Sequence, residues 1–114
     1  MNWKMLRFRL VEATKYAYYR SMDKEEDVMS IINLLAGAAQ AGSQGVLAQA
    51  AFNLMKATEA RQKAMNINNP EFMTRAGELV NETRRVFIEL ANDKEALEEG
   101  KRDIINYKAK PYSA

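Results

Sequence analysis

The stretch Asn66-Ile67-Asn68-Asn69-Pro70-Glu71 contains the sharpest structural signal in the sequence. Asparagine suits a helix N-cap because its side-chain oxygen accepts backbone N–H bonds, and proline suits the first helical position because it needs no N–H there. The glutamate adds negative charge at the positive end of the helix dipole. The stretch therefore predicts a helix from Pro70 to about Asn92. Its apolar positions recur every three or four residues, as in an amphipathic helix: Phe72, Ala76, Leu79, Val80, Thr83, Phe87, Leu90 and Ala91.

Three further helices are predicted before this boundary, near residues 3–20, 24–41 and 46–66. The second of them follows Asp23, which has Glu26 three residues later, the spacing of a capping box. In the first, the alternation of charged and apolar residues over 6–10 also suits a short strand. No second strand is available to pair with it, so we prefer a helix.

Two short breaks separate the remaining segments. Gly42 and Gly45 interrupt the helical pattern, because two glycines three residues apart make helical order costly. Further along, Asn92 and Asp93 either cap a last helix near residues 94–108 or lie within a bend of one longer helix. Both interpretations fit the pattern of apolar residues.

All of these segments belong to one predicted domain. A chain of 114 residues has the usual size of a single domain, and 47% hydrophobic with 28% charged residues is typical of a folded globular protein. Short connections favour antiparallel neighbours. We therefore predict an all-α fold, a compact bundle of four to five mainly antiparallel amphipathic helices, within a single helical domain at residues 1–108. An extended C-terminal tail is predicted for residues 109–114.

The chain contains no histidine and no cysteine. This removes the usual general base, the partner of a catalytic serine, thiol nucleophiles and the main ligands of zinc, haem and iron–sulfur clusters. Carboxylate chemistry remains, because Glu78, Glu82 and Glu89 share one helix at spacings that suit a hard cation such as Mg²⁺. We prefer the interpretation that these acids lie on a solvent face, where Glu82 and Glu89 stand at ion-pair spacings from Arg85. The protein is therefore predicted not to be an enzyme and to need no cofactor or metal.

No charged residue occurs between Val28 and Met55. A run of this length reaches across a bilayer, but polar residues and the glycine break divide it, so we prefer a packing role over a peripheral membrane hairpin. Its small residues let another backbone approach closely, and a small core needs fewer charge-free faces than this run supplies. We therefore predict a protein interface that includes Ala36, Gly37, Ala38, Ala41, Gly42 and Gly45.

The first 20 residues combine basic and aromatic side chains, with five basic residues against one acidic residue. Nucleic-acid bases stack on aromatic rings, and arginine and lysine bind phosphates. The candidate nucleic-acid contacts are Trp3, Arg7, Arg9, Lys15, Tyr19 and Arg20. The alternative is that the rings fill the edge of the core and the charges are solvated.

Because the N-terminus lacks the continuous apolar region of a signal peptide, a cytoplasmic location is expected.

Two functions are compatible with these patterns. The leading prediction is a non-catalytic helical subunit of a larger assembly, acting through protein–protein packing: a homo-oligomer, a virion or secretion component, or a small subunit of a multiprotein complex. The alternative is a small helical subunit that braces the nucleic-acid backbone in a nucleoprotein complex. The expected partner is thus a protein or a second copy, with nucleic acid as the alternative and no membrane. Seven methionines, including Met65 and Met73, suit either an adaptable binding groove or core filling, and we prefer core filling.

Overall fold

The computed structural model describes residues 28–109, with side chains described over 31–107. This part of the chain forms four helices and no strand: α1 (Val28–Gln40), α2 (Val46–Ile67), α3 (Pro70–Ala91) and α4 (Lys94–Ala109). The prediction of an all-α bundle is confirmed, and the helix bounds fall close to the predicted ones. The predicted helix at 3–20, the first residues of the second predicted helix and residues 110–114 lie outside the described residues.

Helix α2 lies at the centre of the fold, because it packs against α1, α3 and α4. The buried side chains of all four helices meet in one apolar cluster. Full burial of such a side chain stabilises the folded state by about 1.5–3 kcal/mol. The largest side chains that are fully buried are Phe87, Ile31, Ile32, Leu35, Leu47 and Ile104.

The turn between α2 and α3 has the geometry that the sequence predicts. Asn68 adopts a left-handed backbone conformation (φ 59°, ψ 44°), which asparagine tolerates, and its N–H donates to the carbonyl oxygens of Ala64 and Met65. Asn69 Oδ1 accepts hydrogen bonds from the backbone N–H of Glu71 at 3.0 Å and of Phe72 at 3.2 Å. The two asparagines therefore end one helix and begin the next.

The boundary between α3 and α4 is a second capped start. Asp93 Oδ1 accepts hydrogen bonds from the backbone N–H of Glu95 at 2.8 Å and of Ala96 at 3.2 Å. An aspartate in this role satisfies N–H groups that the first helical turn leaves unpaired. Of the two interpretations of the sequence, the structure thus has a separate last helix rather than one long bent helix.

Helix α4 crosses the N-terminal end of α2 and reaches α1. The backbone N–H of Val46 donates to Glu99 Oε1 at 3.0 Å. Gly100 packs closely on Leu47, because a Cβ added at Gly100 would lie 2.6 Å from Leu47 Cδ2. Tyr107 packs in the same way against Gly37 of α1. These contacts concentrate α4 at the end of the bundle where α2 begins.

The opposite end of the α2–α3 hairpin extends beyond the other two described helices. Helix α1 has 13 residues and α2 has 22. At about 1.5 Å per residue, α1 is roughly 13 Å too short to follow α2 to its end. Phe72 and Leu79 belong to the predicted core stripe of α3, yet they are 50% and 49% exposed. The prediction that they are core residues is wrong, because no described helix covers them.

Candidate protein-binding surface

Most of the exposed large hydrophobic side chains lie on the half of the α2–α3 hairpin that contains its turn. Seven are at least 37% exposed among the described residues, and five of them lie in the last three residues of α2 or the first ten of α3. We call these five the hairpin patch: Met65, Ile67, Phe72, Met73 and Leu79. Scattered surface hydrophobics are ordinary, but Ile67, Phe72 and Leu79 line one groove, and such a contiguous group is typical of an interaction site. Met65 and Met73 are 48% and 37% exposed, so the interpretation of these two residues as core-filling is wrong.

One side of the hairpin patch borders a groove between α2 and α3. The hairpin groove has a volume of about 360 Å³ and an almost wholly apolar surface. Its lining residues are Ala60, Lys63, Ala64, Ile67, Phe72, Arg75, Ala76 and Leu79. The groove exists because alanines stand where the two helices meet, while larger side chains stand at its rim.

Both helices contribute small and large side chains to the hairpin groove. Helix α2 contributes the methyl groups of Ala60 and Ala64 and the longer side chains of Lys63 and Ile67. Helix α3 contributes Phe72 and Leu79, which lie seven residues apart and therefore on the same side of the helix, two turns from each other. The result is an alanine floor bordered by Ile67 on α2 and by Phe72 and Leu79 on α3.

Two basic side chains line the hairpin groove. Arg75 Nη2 lies 2.8 Å from Glu71 Oε1, one turn away on the same exposed helix face. Lys63 has no carboxylate within ion-pairing distance among the residues that the structure describes. The α2 side of the groove therefore presents an uncompensated positive charge beside the apolar floor.

The small residues predicted to form an interface are partly used within the chain. Ala36 and Ala38 are buried, and Tyr107 covers Gly37. Helix α4 thus makes the close approach that the sequence pattern anticipated. Gly45 is buried too, whereas Ala41 and Gly42 are exposed at the end of α1. A contact of these two residues with another protein stays a prediction.

A second polar feature lies where α4 meets the start of α2. Asp103 Oδ2 is buried against Gly45 and has no hydrogen-bond partner, and Gly45 N–H donates to Ser43 Oγ at 3.1 Å. Together with Glu99, which accepts from Val46 N–H, Asp103 brings carboxylate charge to the positive end of α2. Gly45, the N-cap residue, has no side chain for this role, so α4 supplies the cap.

Two of the three carboxylates considered for metal binding, Glu82 and Glu89, form an ion triad with Arg85 on α3. Arg85 Nη2 lies 2.6 Å from Glu82 Oε1, and Arg85 Nη1 lies 2.7 Å from Glu89 Oε1. The hydrogen bond from Arg85 and its positive charge lower the pKa of Glu82, and hydrogen bonds to both carboxylates raise the pKa of Arg85. Nowhere in the described range do three or more acidic, histidine or cysteine side chains converge as metal ligands.

The nucleic-acid hypothesis depends on basic and aromatic residues near the N-terminus. The candidate contacts all lie outside the described residues: Trp3, Arg7, Arg9, Lys15, Tyr19 and Arg20.

Within residues 28–109, no helix combines the length and the apolar character needed to cross a membrane. No family model, curated protein or solved structure matches the chain. The function must therefore be inferred from the surface of the described helices.

Sequence reasoning missed the hairpin groove, although one signal of it was present. Ile67, an apolar residue, interrupts a run of asparagines at a turn, and it is 64% exposed. Phe72 and Leu79 gave no such signal, because an amphipathic stripe has the same spacing whether or not another helix covers it. Helical spacing identifies an apolar face, but it does not identify what packs against that face.

Proposed function

We propose that this protein is a non-catalytic helical subunit that acts by packing its hairpin groove against another protein chain. The observation that carries the proposal is the apolar groove between α2 and α3, which the exposed side chains of Ile67, Phe72 and Leu79 line. The missing histidine and cysteine support the non-catalytic part, since they remove the commonest catalytic groups.

The shape of the hairpin groove favours a helix as the bound element. A floor of alanines between two helices receives apolar side chains that repeat every three or four residues, which is the mode by which amphipathic helices bind grooves. The alanine floor lets a helix axis approach closely. A flat or polar partner would leave Phe72 and Leu79 in water.

The size of the hairpin patch sets the strength of binding that it supports. Burying the exposed half of a large apolar side chain contributes about 1 kcal/mol, so the three that line the groove contribute roughly 3 kcal/mol. Association costs at least about 4 kcal/mol in lost freedom. A stable complex therefore requires further contacts beside the groove, and the uncompensated Lys63 offers one.

A pair of charge-introducing variants tests this function. Phe72→Glu and Leu79→Glu each place a carboxylate in the groove, and we expect either to abolish co-purification of the partner from the native source. Asn81→Glu is the matched control, because it adds the same charge to an exposed position of α3 that does not line the groove. Circular dichroism should show equal helix content in all three variants. Partner recovery that is the same from Phe72→Glu, Leu79→Glu and wild type would refute the proposal.

The basic and aromatic N-terminal residues support a second candidate function, the bracing of a nucleic-acid backbone. Such contacts to phosphate are strongly salt-dependent. Replacing Arg7, Arg9 and Arg20 together by glutamate should abolish binding of single-stranded RNA or DNA at moderate salt. Unchanged affinity in that triple variant, measured by fluorescence anisotropy, would eliminate the candidate, as would an absence of binding by the wild type.

A further inference from the structure

The two walls of the hairpin groove have lining residues at the same spacing. Those of α2 stand at positions 60, 63, 64 and 67, and those of α3 at positions 72, 75, 76 and 79. Each wall therefore covers about two helical turns, roughly 10 Å of groove. In both walls a basic residue comes directly before an alanine: Lys63 before Ala64, and Arg75 before Ala76.

The basic residue and the alanine of each pair differ in burial. Ala64 and Ala76 are buried, whereas Lys63 and Arg75 are exposed. Successive side chains of a helix point about 100° apart, so each basic side chain lies farther out than the alanine beside it. The hairpin groove therefore has an apolar floor and one positive charge at the rim of each wall.

No carboxylate lines the hairpin groove, although α2 and α3 contain five between them: Glu59, Glu71, Glu78, Glu82 and Glu89. Glu71 contacts Arg75 from outside the lining, in an ion pair whose side chains are 68% and 70% exposed. Such an exposed pair contributes little to stability, and arginine has further N–H donors for a second carboxylate. Lys63 has no ion-pair partner among the described residues. The lining of the groove therefore leaves its basic rim without a matching negative charge.

We propose that the hairpin groove binds an amphipathic helix of another protein that carries acidic side chains along the edge of its apolar face. This inference rests on the proposed function and names the chemistry of the partner. Apolar side chains of the bound helix pack on the alanine floor, and its carboxylates pair with Lys63 and Arg75 at the rim. A contact two turns long requires apolar residues at positions i, i+3 or i+4, and i+7 of the bound helix.

The charge of the rim selects among amphipathic helices, because the apolar floor accepts any of them. A bound helix with basic residues along its apolar face would place them beside Lys63 and Arg75, where like charges repel. Acidic residues in the same positions form ion pairs next to an apolar surface that excludes part of the water. Charge complementarity of this kind contributes more to the choice of partner than to the strength of binding.

Two synthetic helical peptides test the proposal on the purified full chain. Both are about 15 residues long and share one leucine face, which glutamates flank in the first peptide and lysines in the second. NMR titration of the ¹⁵N-labelled protein measures the dissociation constants that a short groove supports, on the order of 1 mM. The glutamate peptide should bind at least about fivefold more tightly than the lysine peptide. Its largest effects should fall on amide signals of the groove lining.

Charge reversal at the rim supplies the second arm of the experiment. Lys63→Glu should abolish or reverse the preference for the glutamate peptide, because it replaces an ion pair by a repulsion. Arg61→Glu is the matched control, since it makes the same change of charge at an exposed position of α2 outside the lining. The preference of the wild type should also decrease as salt screens the ion pairs. Circular dichroism should show equal helix content in both variants.

Three results would overturn the inference. They are equal binding of the two peptides by the wild type, no binding of either at millimolar concentration, and an equal effect of Lys63→Glu and Arg61→Glu. If Phe72→Glu still abolishes co-purification of a partner in any of these cases, the proposed function stands without the acidic helix. A wild type that sediments as a dimer, which Phe72→Glu dissociates, would assign the groove to a second copy and overturn the inference as well.

Discussion

Gly45 should be intolerant of even a methyl group, because Asp103 packs against it from α4. The backbone of Gly45, with φ −61° and ψ 138°, is one that alanine adopts without strain. The obstacle is steric, since an added Cβ would overlap the buried Oδ2 atom of Asp103. The change Gly45→Ala therefore tests whether α4 docks on the start of α2 as the structure has it.

Three effects set the magnitude of this change. Overpacking costs about 1–3 kcal/mol. Alanine is a poorer N-cap than glycine by about 0.5–1 kcal/mol, whereas its restriction of the unfolded chain stabilises by about 0.4–1 kcal/mol, so these two nearly cancel. Gly45→Ala should thus lower the free energy of unfolding by about 1–3 kcal/mol. In an Asp103→Ala background the overlap is absent, and the same change should cost less than about 0.5 kcal/mol.

Urea unfolding of the four proteins in this double-mutant cycle, followed by circular dichroism at 222 nm, measures the coupling directly. The cycle isolates the contact between the methyl group added at position 45 and the Asp103 side chain, whatever Asp103→Ala does alone. We expect a coupling energy of about 1–3 kcal/mol. An equal cost of Gly45→Ala in both backgrounds would refute the packing of Asp103 against Gly45.

Three further substitutions test the other parts of the fold. Asn69→Ala should cost about 1 kcal/mol in urea unfolding, because it removes the N-cap of α3. Phe87→Ala should cost about 3–5 kcal/mol, and Phe72→Ala far less, since only the first is fully buried; equal losses would contradict the described burial. In an NMR titration, Arg85→Gln should return the lowered pKa of Glu82 to its ordinary value. Because a lowered carboxyl pKa stabilises the fold above the unfolded-state pKa, this small contribution is lost as the pH falls through the folded-state value.

The helix boundaries were predictable because their signals are local. Asn69 and Asp93 cap the helices that follow them through hydrogen bonds to residues two and three positions ahead. Such contacts depend on a few adjacent residues and need no knowledge of the rest of the fold. The same holds for the ion triad around Arg85, whose members are three and four residues apart.

The sequence did not predict which part of each helix is covered by other helices, because this depends on the lengths and crossing angles of distant segments. Phe72 and Phe87 occupy the same apolar stripe of α3, yet one is half exposed and the other is fully buried. The contact of Tyr107 with Gly37 joins residues far apart in the chain, and no local pattern announces it. The sequence pattern therefore predicted a protein interface that includes Gly37, which α4 contacts within the chain, and predicted core positions at Phe72 and Leu79, which no described helix covers.

The capping of α2 by α4 also has a consequence for the order in which the chain folds. Val46 and its acceptor Glu99 are 53 residues apart, so a ribosome must release most of the chain before the first turn of α2 gains this bond. The α2–α3 hairpin closes through a two-residue turn and needs no later segment. Contacts that are local in sequence form fastest. We therefore expect the hairpin to form first, starting at its turn, and α4 to dock afterwards at the opposite end.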